Sequence, residues 1–172
     1  MVANKSLNGL KVLVTRPQQQ AKKLCDMILA SGGQSITFPV IEIVPTDVQT
    51  WPQFDLAQQD MIIFVSRNAV SNFVGTLVEP LAEHIQLASV GAGSAASMRS
   101  HGLRVDIQPS QSIGSEGLLL MSEFDEMTGK EVLIIRGKGG RELLADTLVE
   151  RGATVRYLEV YERVLPTVSA EQ

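Results

Sequence analysis

Cysteine, histidine and aromatic residues are scarce in this 172-residue chain, and each shortage argues against a class of site. Cys25 is the only cysteine, so neither an internal disulfide bond nor a thiolate metal cluster can form, and a lone thiol suits a reducing cytosol. His84 and His101 are the only histidines, which argues against a histidine-based metal site. Aromatic residues make up 5% of the chain, which argues against a base-stacking surface for nucleic acid.

Long hydrophobic runs and an excess of basic charge are also missing. No apolar stretch approaches the roughly 20 residues that span a bilayer, and the segment MVANKSLNGLKVLV lacks the pattern of a signal peptide. The net charge of −4 creates no global basic field that would attract nucleic acid. With 44% hydrophobic and 20% charged residues, the composition is that of a globular protein. We therefore expect a cytoplasmic protein with no membrane, nucleic-acid or metal partner.

The chain does contain a regular alternation of short β-branched runs and longer amphipathic stretches. Strands are predicted at 11–15, 61–65, 86–90, 104–107, 131–135 and 154–164. Helices are predicted at 18–31, 68–77, 94–101, 115–124 and 141–151. This order predicts an α/β fold with a parallel sheet and helices on both faces. The segment 36–44 is predicted to be mostly extended, 41–45 to contain a domain boundary, and 46–60 to be a linker or surface loop.

The turns that follow the predicted strands carry small residues, hydroxyl groups and basic side chains at helix starts. Ligands of open α/β sheets bind beyond the carboxyl ends of the strands. Free N–H groups and the helix dipole at such helix starts favour anions. Basic side chains gathered in these turns of an acidic chain predict a ligand with several negative groups. The candidate contacts are Arg16, Ser66, Arg67, Asn68, Gly91, Ser94, Ser112, Gly114, Arg136, Gly137, Lys138 and Arg141.

Each of these residues also has a purely structural interpretation. The serines can simply cap helix N-termini, where a hydroxyl satisfies free N–H groups. Each arginine taken alone is typical of a solvated surface, and the glycines of 137–140 are typical of a flexible turn. Tyr161 lies between apolar residues in the last predicted strand, so on pattern alone it is a core or edge tyrosine.

One segment imitates a dinucleotide-binding fingerprint. GAGSAA at 91–96 fits G-x-G-x-x-A after a strand and before a helix. The ribose-binding acid expected at the end of the next strand is represented by Asp106, which falls early. The fingerprint also normally occupies the first βα turn rather than the middle of a chain. A dinucleotide is therefore the weaker interpretation of this turn.

In order and spacing, successive segments of the chain resemble the uroporphyrinogen-III synthase family. The resemblance extends over nearly the whole chain, and it rests on the ordered set rather than on any single motif. The segments are KVLVTRP, PVIEIVP, DMIIFVSRNAV, ASVGAGSAASM, GLRVDIQP, SEGLL, GKEVLIIRGKGGRELL and RGATVRYLEVYERVLP.

The resemblance implies a function and roles for particular residues. It implies flavodoxin-like α/β domains joined by a two-stranded linker, and a cofactor-independent hydro-lyase. Such an enzyme converts hydroxymethylbilane to uroporphyrinogen III, losing water and inverting the last pyrrole ring through a spiro intermediate. A family tyrosine that helps the hydroxyl leave matches Tyr161 in VYERV. A glycine-and-hydroxyl turn matches Gly91 and Ser94, a basic turn residue matches Arg141, and the eight substrate carboxylates fit the anion-favouring turns.

The family pattern also implies that the first domain is incomplete in this chain. Residues 1–39 supply its first strand and helix, 40–45 a linker strand, 46–157 a complete second domain, and 158–172 a return strand and tail. One strand and one helix cannot bury a core. We therefore expect a truncated or cleaved chain with little synthase activity alone, or self-association through the incomplete domain. A non-catalytic flavodoxin-like ligand-binding domain and a structural adaptor are the alternatives.

Overall fold

The computed structural model describes residues 6–52, 55–110 and 114–166. It divides the chain into two compact units, Met1–Val44 with Arg163–Gln172 and Pro45–Glu162. The strands are β1 (Lys11–Val14), β2 (Gln34–Thr37), β3 (Glu42–Pro45), β4 (Met61–Phe64), β5 (Gln86–Ser89), β6 (Glu131–Gly137) and β7 (Thr154–Val164). The helices are α1 (Gln18–Ala30), α2 (Arg67–Val74), α3 (Ala92–Ser100), α4 (Ser115–Leu119) and α5 (Leu143–Glu150), with short 3-10 turns at Val48–Thr50, Leu56–Gln58 and Ser122–Phe124.

The first unit contains β1, α1 and β2, and the division between the units falls within β3, between Val44 and Pro45. The two strands pair in parallel, with Leu13 opposite Ile36. Val14, Ala21 and Ile28 form a buried cluster between β1 and α1, whereas Leu13 and Ile36 are 58% and 48% exposed. The sequence predicts one strand and one helix here, and the structure adds β2 as a second strand. The residues of β2, QSIT, include a single apolar side chain, so no apolar alternation marks this strand in the sequence. All four of these residues are exposed.

A five-stranded sheet with the order β3-β7-β6-β4-β5 organises the second unit. β4 pairs in parallel with both β5 and β6, and β6 pairs in parallel with β7. Phe64 at the end of β4 lies opposite Ser89 of β5 and Ile135 of β6. The carboxyl ends of these strands therefore share one edge of the sheet. This confirms the predicted common edge for the turns that follow β4, β5 and β6.

Helices cover both faces of this sheet. All four residues of β4 are buried, and successive side chains of a strand point to opposite faces. Ile63 belongs to a buried cluster with Leu118 of α4 and Leu148 of α5. Phe64 faces the other way and meets Phe73 of α2, with ring centroids 5.7 Å apart. The predicted α/β fold with a mostly parallel sheet is thus confirmed. Within the part of the chain that the structure describes, no helix has the length and apolar character needed to cross a bilayer.

Two predicted elements differ in the structure. The segment 104–107 is not a strand, since its contribution to the sheet is a single parallel bridge from Ile107 to Ala88. The carboxylate of Asp106 accepts the N–H of Leu87 at 2.7 Å, so a side chain satisfies a donor that a full strand would engage. The predicted helix over 115–124 is divided into α4 and a separate 3-10 turn.

Candidate functional site

The candidate site begins where β4 ends and α2 starts. Ser66 Oγ accepts the N–H of Ala69 at 3.0 Å, so Ser66 caps α2, as its structural interpretation predicts. The same oxygen lies 3.2 Å from the hydroxyl oxygen of Tyr161 on β7, and either group can donate. The fold thus brings together two hydroxyl groups from residues far apart in the chain, at the carboxyl edge of the sheet.

A β-bulge turns Tyr161 toward this edge. Arg136 of β6 lies opposite Glu159, but the next residue, Gly137, lies opposite Tyr161, so β7 contains one extra residue, Val160. Val160 and Tyr161 are both buried, at 0% and 1% exposed. No sequence signal marks the bulge, because the run LEVYERV continues the pattern of a strand.

Gly137 leaves the space that the ring of Tyr161 occupies. A β-carbon built on Gly137 would lie 2.4 Å from Cζ and 2.9 Å from the hydroxyl oxygen of Tyr161. Gly137 is not among the glycines with positive φ, so it is space rather than backbone freedom that requires a glycine here. The sequence predicts close approach of a ligand to Gly137, and in the structure the group that approaches it is the tyrosine ring.

The sequence predicts a ligand contact at Arg136, but in the structure its guanidinium is buried against the protein's own groups. The residue is 5% exposed. Its Nη1 lies 3.1 Å from a carboxylate oxygen of Glu142, and its Nε lies 3.8 Å from one of Glu159. The guanidinium carbon also lies 4.4 Å from the ring centroid of Tyr157, within cation–π range. Arg136 therefore ties the β6–α5 turn to β7 rather than presenting its charge to solvent.

Tyr157 donates its hydroxyl proton to Glu142 in the same cluster. Burial, reinforced by this hydrogen bond to a carboxylate, raises the pKa of Tyr157 to about 12. The pKa of Glu142 is lowered, chiefly by the hydrogen bond from Tyr157 and then by the one from Arg136. At neutral pH Tyr157 is therefore protonated and Glu142 ionised, and the cluster keeps its hydrogen bonds.

Two further basic side chains of the β6–α5 turn form ion pairs. The guanidinium of Arg141 meets the carboxylate of Glu116 through two N···O contacts of 2.6 and 3.4 Å. A hydrogen bond within Glu116 itself, followed by the one from Arg141, lowers the pKa of that carboxyl. Lys138 Nζ lies 3.9 Å from Glu162, and the Arg141 and Lys138 side chains are 73% and 67% exposed. A negatively charged ligand must therefore compete with the protein's own carboxylates for these two cations.

Arg67 is the exposed basic residue of the β4–α2 turn. It is the first residue of α2, and its Nε lies 3.9 Å from the β-carbon position of Gly93 in the first turn of α3. The next residue, Asn68, is partly buried, and its backbone carbonyl accepts a hydrogen bond from the Asn72 side chain at 2.8 Å. Arg67 thus places a positive charge beside the start of α3, where free N–H groups also favour an anion.

The remaining predicted contacts have varied positions. Gly91 precedes α3, and Ser94 is buried in the first turn of that helix, so Ser94 is not its N-cap. Gly114 has φ +86°, a conformation that favours glycine, directly before α4. Arg16 is exposed after β1 in the first unit, and Ser112 lies outside the described residues.

The position of Asp106 argues against the dinucleotide interpretation of GAGSAA. Its carboxylate accepts the N–H of Leu87 and pairs with Arg104 at 3.0 Å. Leu87 lies near the start of β5, whereas Gly91 follows the end of that strand. The acid is therefore engaged away from the edge where the fingerprint turn lies, and it cannot serve a ribose bound there.

The fold and the edge together define a class: a parallel α/β protein with a hydroxyl pair and anion-favouring helix starts at the carboxyl edge of its sheet. The family model described as uroporphyrinogen-III synthase HemD matches residues 20–172. The chain belongs to the uroporphyrinogen-III synthase family, and the resemblance seen in the sequence is confirmed.

Individual relatives agree with this assignment. The uroporphyrinogen-III synthase of Escherichia coli is 32% identical over 162 residues, which cover 90% of this chain and 65% of the relative. The Proteus mirabilis uroporphyrinogen-III synthase is 29% identical over 172 residues, which cover 95% of this chain and 85% of the relative. The chain thus spans 65% of the length of its Escherichia coli relative.

Solved structures show the same fold. The Helicobacter pylori uroporphyrinogen-III synthetase structure is 19% identical with a TM-score of 0.62, covering 94% of this chain and 65% of that one. The structure of a mutant Thermus thermophilus uroporphyrinogen III synthase is 17% identical with a TM-score of 0.64, and the match covers 92% of this chain and 64% of that one. At these identities the likeness extends to the fold alone.

Proposed function

We propose that this protein carries out the uroporphyrinogen-III synthase reaction in tetrapyrrole (haem) biosynthesis, as a hydro-lyase without a cofactor. The substrate is hydroxymethylbilane, a linear tetrapyrrole with eight carboxylates, and the product is the ring with its last pyrrole inverted. The observation that carries the proposal is the position of Tyr161. In a chain of this family, a tyrosine hydroxyl beside Ser66 Oγ lies at the strand edge where α/β proteins bind their ligands.

Tyr161 serves as the general acid in this proposal. As the C–O bond of the hydroxymethyl group breaks, the phenol donates its proton to the departing hydroxyl, which leaves as water. The azafulvene that forms is attacked by a carbon of the last pyrrole ring, giving the spiro intermediate. After rearrangement the ring system loses a proton, which restores the phenol. The net change is the loss of one water molecule, and the chief task of the protein is to direct which carbon attacks.

The protein would select the attacking carbon by the way it holds the chain of pyrroles. Backbone N–H groups at the starts of α2 and α3, together with Arg67, are suited to hold acetate and propionate groups. Arg141 and Lys138 join them when a substrate carboxylate displaces Glu116 or Glu162. Arg136 acts differently in this proposal, since its guanidinium supports the β6–α5 turn from within.

The test of the proposed function is the ring isomer made from hydroxymethylbilane. The protein is supplied with enzymatically generated bilane, the products are oxidised to porphyrins, and the type III and type I isomers are separated by chromatography. We expect predominantly type III, because spontaneous closure proceeds without inversion and gives type I. A product that stays type I at every protein concentration would overturn the proposal.

Binding of the polycarboxylate should weaken as salt rises, because partly exposed charges are screened. With uroporphyrin III as a fluorescent octacarboxylate probe, Arg67→Ala should weaken binding about tenfold at low ionic strength. Arg141→Ala should weaken it less, since the Glu116 carboxylate already occupies that guanidinium. Affinity that is indifferent to ionic strength, or equal in Arg67→Ala and the unmodified protein, would remove these charges from the site.

The exposed residues of the first unit support a further part of the proposal. Leu13 and Ile36 leave an apolar patch on the paired strands β1 and β2, which favours association with a second copy. The protein is accordingly expected to self-associate. Sedimentation velocity at rising concentration tests the association. A monomer at all concentrations would contradict it.

A further inference from the structure

Tyr161 of β7 contacts residues at the ends of two neighbouring strands, and Gly137 is one of them. Tyr161 follows the bulge in β7, its hydroxyl reaches Ser66 after β4, and its ring lies over Gly137 at the end of β6. The backbone carbonyl of Tyr161 accepts the N–H of Lys138 at 2.7 Å, which fixes the strand beyond the bulge. The backbone of Tyr161 is therefore held by β6, and its ring fills the space above Gly137.

We propose that Gly137 is a positioning residue, which sets the reach of the Tyr161 hydroxyl by leaving the ring its place at the end of β6. This inference rests on the proposed function, in which Tyr161 is the proton donor. Gly137 acts through Tyr161 and does not need to touch the substrate.

The distances show why no larger residue fits. A β-carbon at position 137 would lie 2.4 Å and 2.5 Å from two ring carbons of Tyr161, far inside van der Waals contact. Both the ring and the bulge residue Val160 are buried, so the ring cannot yield without a shift of its neighbours. Alanine at 137 must therefore displace the ring, and with it the hydroxyl beside Ser66.

A displaced hydroxyl should affect turnover more than binding. Arg67 and the starts of α2 and α3, which the proposed function assigns to the carboxylates, lie on other elements, and the side chain of Lys138 is exposed, so substrate affinity should change less than turnover. A misplacement of about 1 Å in a reacting group is enough to lower a rate roughly 10- to 100-fold. Gly137→Ala should therefore lower kcat by about this factor while KM stays within about twofold.

Fluorine NMR reports the ring directly, because the chain contains only two tyrosines, Tyr157 and Tyr161. The protein is labelled with 3-fluorotyrosine, and Tyr157→Phe assigns the line of Tyr161. We expect Gly137→Ala to shift that line and to lower kcat. The matched control is Gly75→Ala, where the added β-carbon lies 4.0 Å from its nearest neighbour and φ is −63°. The control should leave the Tyr161 line and kcat as they are.

The outcomes separate this inference from the proposed function. An unshifted Tyr161 line in Gly137→Ala overturns the positioning role. A shifted line with unchanged kcat confirms that Gly137 sets the ring but overturns Tyr161 as the proton donor. If Gly137→Ala fails to fold, the double variant Gly137→Ala/Tyr161→Val, which removes the ring, should fold again. Failure of the double variant where Tyr161→Val alone folds would overturn the steric argument.

Discussion

Replacing Tyr161 with phenylalanine should lower the turnover of hydroxymethylbilane about 100-fold or more, because general acid catalysis typically contributes that much. The substitution removes one oxygen from a side chain that is only 1% exposed, so the ring keeps its packing against Gly137. A proton donor acts mainly in the transition state, and KM should therefore stay within about threefold. Single-turnover kinetics with uroporphyrinogen isomer analysis measures both quantities.

Tyr157→Phe is the comparison for Tyr161→Phe, since it removes a hydroxyl from the same strand four residues earlier. That hydroxyl is engaged by Glu142 and not by Ser66, so its loss should change turnover far less. Equal turnover in Tyr161→Phe and the unmodified enzyme would return Tyr161 to the role of a buried core tyrosine. Equal losses in the two variants would point to a general effect of the strand rather than to proton transfer.

Much of the second unit is predictable from the sequence, because short strand-forming runs alternate regularly with amphipathic helical stretches. The run MIIFV becomes β4, with all four residues of the strand buried, and the parallel order of β4 to β7 follows from the helices between them. The common edge of the strand-end turns follows from that order alone. β2 escapes prediction because its residues QSIT are exposed and carry no alternating pattern.

The interior of the site is much less predictable, because it depends on contacts between residues distant in sequence. Arg141 pairs with Glu116 and Arg136 with Glu142 and Glu159, and nothing in the local pattern specifies these partners. In the sequence each arginine counts as available charge, whereas the fold engages several of them internally. The bulge that turns Tyr161 is likewise set by pairing between β6 and β7.

Replacing Arg136 with methionine should destabilise the second unit by about 1–3 kcal/mol, the usual cost of removing one partner from a buried hydrogen-bonded charge cluster. Arg136 is 5% exposed, and its guanidinium contacts Glu142, Glu159 and the face of Tyr157. Trp51 is the only tryptophan and lies in the second unit, so its fluorescence during urea unfolding reports on this unit. Its indole N–H donates to Thr46 Oγ1 at 2.9 Å, and Thr46 in turn bonds to the backbone of β7.

Arg141→Met is the matched control for Arg136→Met, since it removes an arginine of the same turn whose pair with Glu116 is largely exposed. Exposed ion pairs often contribute nothing measurable, so the urea midpoint of this variant should stay where it is. Arg136→Lys should recover only part of the loss, because an ammonium group keeps the charge but lacks the planar fork that meets the carboxylates and stacks on Tyr157. Equal midpoints for Arg136→Met and Arg141→Met would contradict the structural role of Arg136. Its charge would then return to the set of groups available to a polycarboxylate ligand.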